Sequence, residues 1–316
     1  MSEPEASTPP PTEATGKRRS VLSTSAGTHL GAFTALDWAL FLSIGGIWGS
    51  SFLFIAIGLH AFEPGLITWL RISLGASVLW LVPAARTRLA REDLPRLVAQ
   101  SVLWVAIPFT LFPLAEQRIT SGLTGLLNGA LPIFAAAIGS LMLRRTPGRT
   151  QLIGLTLGLL GIVAIAAPTI AEGSSEAIGV VMGLSATVCY GVAINIAAPL
   201  TQRYGALPVM ARMLVLASVW TAPFGLLGLR GSTFALPSLL SVTFLGVMGT
   251  GAAFVLMGRL VSRVGSTRAS FATYLIPVVA LLLGVVFLSE RIPLLSIAGI
   301  VLVILGALLA SRKERA

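Results

Sequence analysis

The chain of 316 residues is 55% hydrophobic and only 11% charged, with a mean hydropathy of +0.90 and a formal net charge of +10. A soluble domain carries about 25% charged residues, so this composition excludes a water-facing globule and predicts an integral membrane protein. The basic residues stand in short clusters between apolar runs, a pattern that orients a chain in a bilayer rather than one that binds nucleic acid.

Residues 1–35 are rich in Ser, Thr, Pro and Glu and offer nothing to bury, which predicts a disordered cytoplasmic tail. It is not read as a signal peptide, because Lys17-Arg18-Arg19 is followed by small polar residues rather than a compact apolar run. A membrane-crossing helix needs ~20 apolar residues. Ten such segments follow, at approximately 36–58, 64–83, 96–115, 121–143, 152–168, 178–199, 207–229, 238–258, 268–288 and 293–311. An even number of spans puts both termini on one side. That side then collects Arg86, Arg88, Arg91 and Arg96, then Arg144, Arg145 and Arg149, then Arg203, then Arg259, Arg263 and Arg268, and the basic ends of both tails. The opposite side holds only Arg118, Arg230 and Arg291 among several glutamates. The asymmetry predicts cytoplasmic termini.

The second half repeats the first at an offset of about 145 residues. Arg118 meets Arg263, Ser121 meets Ser266, Pro132 meets Pro277, and Gly139, Gly154 and Gly161 meet Gly284, Gly299 and Gly306. With five spans per copy, an odd number, the second copy enters the membrane from the other side. The expected fold is therefore all-α, with two inverted-topology five-helix repeats over residues 36–168 and 178–311, and with a substrate site at their seam.

Within the spans, Pro132 and Pro277 predict helix kinks that free the carbonyls of Asn128 and Thr273, with Tyr274 alongside. Exposed backbone polarity at that depth is tolerated where it lines a cavity or is buried in protein, so Asn128, Thr273 and Tyr274 are candidate substrate contacts. The alternative is an ordinary kink satisfied by neighbouring helices. Arg71 and Arg212 lie one to two turns into the second and seventh spans. Inversion puts Arg71 toward the outer mouth and Arg212 toward the inner one. They either line the pathway and favour anionic solutes or snorkel to the interface. Trp48 and Tyr190 lie near mid-span, with the polar Asn195 five residues beyond Tyr190; the aromatics either stack on a flat or amphiphilic solute or pack. Gly45-x-x-x-Gly49 and Gly154-x-x-x-Gly158 are read as close helix contacts without chemistry.

No phosphate-loop lysine is present, so ATP is not expected to drive transport. The two histidines are far apart and Cys189 is the single cysteine, so no metal site and no cofactor is expected. Asp37, Glu116 and Glu290 fall at span edges, leaving no central carboxylate to relay protons, so either an edge carboxylate such as Glu116 does so or the protein is a facilitator or exchanger.

Ile47-Trp48-Gly49-Ser50-Ser51-Phe52, Trp69-Leu70-Arg71, and the runs Leu131-Pro132 to Gly161 and Ile276-Pro277 to Gly306, including Ser289-Glu290-Arg291, resemble the EamA family of the drug/metabolite transporter superfamily. The resemblance covers residues ~38 to 311 and implies a ten-helix plasma-membrane carrier exporting small organic solutes such as amino acids or drugs. One departure stands out: where such repeats often carry a Glu at the end of the fourth span, this chain has Arg144-Arg145. Two other classes compete. A lipid-modifying membrane enzyme would need clustered catalytic groups, which are not found. A non-transporting scaffold would not need prolines preceded by polar residues in both halves.

Overall fold

The structure, a computed structural model, describes residues 32–142, 148–264 and 266–310. Most of the N-terminal tail and the Arg144-Arg145 pair lie outside the described residues.

Ten apolar helical segments follow one another: α1 Ala35–Leu59, α2 Pro64–Trp80, α3 Arg91–Glu116, α4 Ser121–Met142, α5 Arg149–Ile170, α6 Ser174–Tyr204, α7 Ala206–Gly228, α8 Leu236–Val264, α9 Arg268–Leu288 and α10 Leu294–Ala310. Eight have the length and hydropathy of a membrane span. The other two, α2 and α10, have 17 residues each, about 25 Å of helix. Their starts obey local rules. Thr34 and Asp37 form a reciprocal capping box at the start of α1, and Pro64 opens α2, where its missing N–H costs nothing. Thr120 caps α4 by accepting from the Leu123 N–H.

Four helices are irregular, in matched pairs. α3 and α8 each contain a wide π-type turn, at Ser101–Ala106 and Val247–Ala252. α4 is interrupted at Gly129–Ala130, just before Leu131-Pro132, and α9 passes through a tight 3₁₀ turn at Phe271–Tyr274, just before Leu275-Ile276-Pro277. Both irregularities lie a few residues before the prolines at which the sequence predicts kinks.

Helices approach closely where glycine allows it. A Cβ on Gly154 of α5 would lie 2.6 Å from the Gly306 carbonyl oxygen of α10, and one on Gly49 of α1 would lie 2.5 Å from the Val279 Cβ of α9. These glycines act in packing, as expected. The periphery is strongly apolar: Leu294 is 84% exposed, Phe234 80% and Leu141 78%. Such a surface suits lipid, not water.

Candidate functional site

A cavity of about 1690 Å³ runs into the bundle. At mid-depth it is lined by Trp48 and Ser51 of α1, Arg71 of α2, Phe109 and Phe112 of α3, Asn128 of α4, Tyr190 of α6, Gly249 and Phe254 of α8 and Thr273 of α9. From there the lining descends to Asp93, Arg96, Arg203 and Ser262, at the helix ends on the arginine-rich side. Four helices of each repeat contribute, whereas α5 and α10 contribute no lining residue. The cavity therefore lies at the seam between the repeats and reaches one face of the bundle.

The cavity lining stops short of the opposite face, where Glu290 closes the end of α9 onto the start of α4. Ser289, which ends α9, adopts left-handed backbone (φ 53°), sparsely populated for a residue with a side chain. This turn folds Glu290 back so that its N–H donates to the Gly284 carbonyl at 3.1 Å. Its Oε1 accepts from the Ser121 N–H and Oγ–H, both at 2.8 Å, and its Oε2 accepts from the Gly122 N–H at 2.8 Å. A carboxylate set on the free N–H groups of a helix start is favoured by both hydrogen bonding and the helix dipole. Glu290 thereby ties the second repeat to the first. Behind this closure lies a pocket of about 370 Å³, lined by Glu116, Arg118, Glu172, Glu176 and Arg291 among others. Both carboxylate oxygens of Glu116 are buried without a hydrogen-bond partner. Its position at a span edge in the sequence did not reveal that enclosure.

Arg71 is 7% exposed and is the charged group at mid-depth in the cavity. Its guanidinium lies over the Phe109 ring, 4.1 Å from the centroid, and its Nε–H donates to Thr250 Oγ1 at 3.2 Å. The π-type turn of α8 explains Thr250. A wide turn leaves a carbonyl without its usual i+4 donor, and the Thr250 hydroxyl fills that role for Leu245 at 2.9 Å while accepting from Arg71. Arg71 is reached from the arginine-rich face rather than sitting at the outer mouth, because α2 packs with its middle against the cavity.

Aromatic side chains frame the site. Trp48 meets Phe254 edge-on at 6.0 Å, and Phe112 contacts Phe52 at 5.5 Å and Tyr190 at 5.8 Å. Asn128 is 8% exposed, and its Oδ1 is buried with no hydrogen-bond partner.

The sequence candidates thus separate. Trp48, Arg71, Asn128, Tyr190 and Thr273 line one cavity, whereas Asn195, Arg212 and Tyr274 are not in its lining. Arg212 donates to the carbonyls of Ala85 and Arg86 at 3.0 and 3.1 Å and lies beside the Trp80 ring, so it braces the turn after α2. Asn195 donates to the carbonyls of Ala135 and Gly191, joining α6 to α4. Tyr274 stacks on Phe271. Thr250, Phe109, Phe112 and Glu290 were not among the sequence candidates. Thr250 had one signal, a polar residue between Gly249 and Gly251 in an apolar run.

Residues 37–167 and 177–312 each match the sequence profile of the EamA-like transporter family. The chain belongs to the EamA family. Among its relatives is an uncharacterized transporter of Archaeoglobus fulgidus, 26% identical, the alignment covering 84% of this chain and 95% of the relative. Another, named "Probable terminal-alkyne amino-acid exporter", from Streptantibioticus cattleyicolor, is 26% identical over 87% of this chain and 93% of its own. A Salmonella typhimurium protein named "Probable amino-acid metabolite efflux pump" is also 26% identical, over 85% and 93%. A crystal structure 18% identical to this EamA protein superposes with a TM-score of 0.58, covering 87% of this chain and 96% of that one. It shares the fold.

Proposed function

We propose that this EamA transporter is a secondary carrier, and that it moves small organic metabolites such as amino acids, their derivatives or drugs across the plasma membrane by alternating access. The observation that carries the reading is a deep cavity at the seam of two repeats, accessible from one face, with Glu290 bonded to the start of α4 toward the other. Taking the arginine-rich face as cytoplasmic, the structure is the inward-open state. Solute enters from the cytoplasm, contacts Arg71, Asn128 and the aromatic frame, and leaves once the contact between Glu290 and α4 opens. Transport then runs down the solute's own gradient, without nucleotide. The names of the two amino-acid exporters among its relatives support this substrate range.

Counterflow in proteoliposomes, against a panel of amino acids, acylated amino acids and aromatic acids, tests the reading. At least one carboxylated solute should exchange faster than in empty liposomes, without ATP, and Arg71→Ala should abolish that exchange. Exchange of no solute above the empty-liposome rate overturns it.

A further inference from the structure

The charges around the central cavity are unbalanced in a way that bears on which carboxylates fit. Among the described residues, its lining contains one carboxylate, Asp93. Asp93 sits at the mouth and is already engaged: Arg203 Nη1 donates to it at 2.9 Å and the Tyr204 hydroxyl at 2.7 Å. At mid-depth stands Arg71, with Nε on Thr250 and one face on Phe109, and with no carboxylate in ion-pair contact. Glu116 lines the outer pocket and not the central cavity.

A solute carboxylate at this depth would meet a cation held in a low-dielectric, aromatic-walled site, where charge-assisted hydrogen bonds are strong. A free ammonium on the same solute would meet the opposite situation. It would lose its hydration, face the guanidinium of Arg71, and find no carboxylate of the lining free to take it. Asn128, also in the lining, offers it no acceptor, because its Oδ1 is fully enclosed.

Resting on the carrier reading above, we infer that the central site selects solutes of net negative charge, namely carboxylates on an aromatic or apolar body with no free ammonium, over zwitterionic amino acids and cationic amines. Arg71 takes the carboxylate, and Trp48, Phe112 and Tyr190 enclose the body.

Three probes with one side chain separate the possibilities: N-acetyl-L-phenylalanine, L-phenylalanine and phenethylamine, titrated calorimetrically into the purified full-length protein in detergent. N-acetylphenylalanine should bind about tenfold or more tighter than phenylalanine, and phenethylamine should not bind. Phenylalanine binding as tightly as its acetylated form, with both lost in Arg71→Ala, would overturn the selectivity and leave the carrier reading standing. Preferred binding of phenethylamine would overturn it too. The wild-type ligand series decides the matter even if the Arg71 variant fails to fold.

Discussion

Glu290 Oε1 accepts hydrogen bonds from both the backbone N–H and the hydroxyl of Ser121, 169 residues earlier in the chain, each at 2.8 Å. By the repeat offset, the position equivalent to Glu290 is Arg145, and the one equivalent to Ser121 is Ser266. Arginine has no acceptor and cannot cap a helix start. This anionic latch is therefore encoded in one repeat only. Glu290→Ala should leave donors at the α4 start unsatisfied, at a cost of about 1–3 kcal/mol each where they stay buried. The variant should melt earlier than wild type, and a cysteine at Leu123, now buried, should become reactive in a Cys189→Ala background. Unchanged reactivity would show that Glu290 does not hold the gate.

Arg71→Lys should behave worse than its conserved charge suggests. Lysine keeps the charge but loses the planar stack on Phe109 and the Nε bond to Thr250. The measurement is counterflow of a carboxylated solute, with Arg71→Ala for comparison. We expect KM to rise at least tenfold for the Lys variant and exchange to vanish for the Ala variant. Equal loss of folded protein in both would mark Arg71 as a structural residue instead.

Thr250→Val is nearly isosteric and removes a hydroxyl that serves two partners. It should strand the Leu245 carbonyl and release Arg71, costing roughly 1–3 kcal/mol of stability and raising KM several-fold. Thr250→Ser should rescue the KM. A rescued melting temperature without a rescued KM would mean that the hydroxyl supports the π-type turn but not Arg71.

Orientation is tested by labelling single cysteines in a Cys189→Ala background. Arg88→Cys, in the exposed segment after α2, should react only with a membrane-permeant reagent in intact cells. Ser174→Cys, at the start of α6, should react with an impermeant one. The reverse pattern would turn the cavity to face outward and reverse the direction of transport argued here.

Much of the fold was legible because its signals are local. Span lengths follow from hydropathy, and the kinks follow from Pro132 and Pro277 with the repeat offset that pairs them. The site was legible only in part, since hydropathy locates a residue in depth but not in rotation about its helix. Arg71 and Arg212 look alike in sequence, yet Arg71 turns into the cavity while Arg212 turns to the Ala85 and Arg86 carbonyls. Asn128 and Asn195 separate in the same way. Glu290 looked like a surface residue because the turn at Ser289 that aims it carries no sequence signature: serine rarely takes that backbone form.

The paired π-type turns of α3 and α8 also bear on which length changes the chain can absorb. Each α-helical residue advances the helix by about 100°, and a π-type turn accommodates an extra residue that a regular helix has no room for. Deleting one residue from Val247–Ala252 would let α8 become regular while leaving the faces after it where they were. Phe254 and Met257 would keep to the cavity wall, and Arg263 to Asp37, its ion-pair partner on α1. A one-residue deletion from a regular stretch of α8 would instead swing every later face by about 100°. The two wide turns are therefore where a spanning helix should best absorb the loss of a single codon, provided Ser101 and Thr250 are kept.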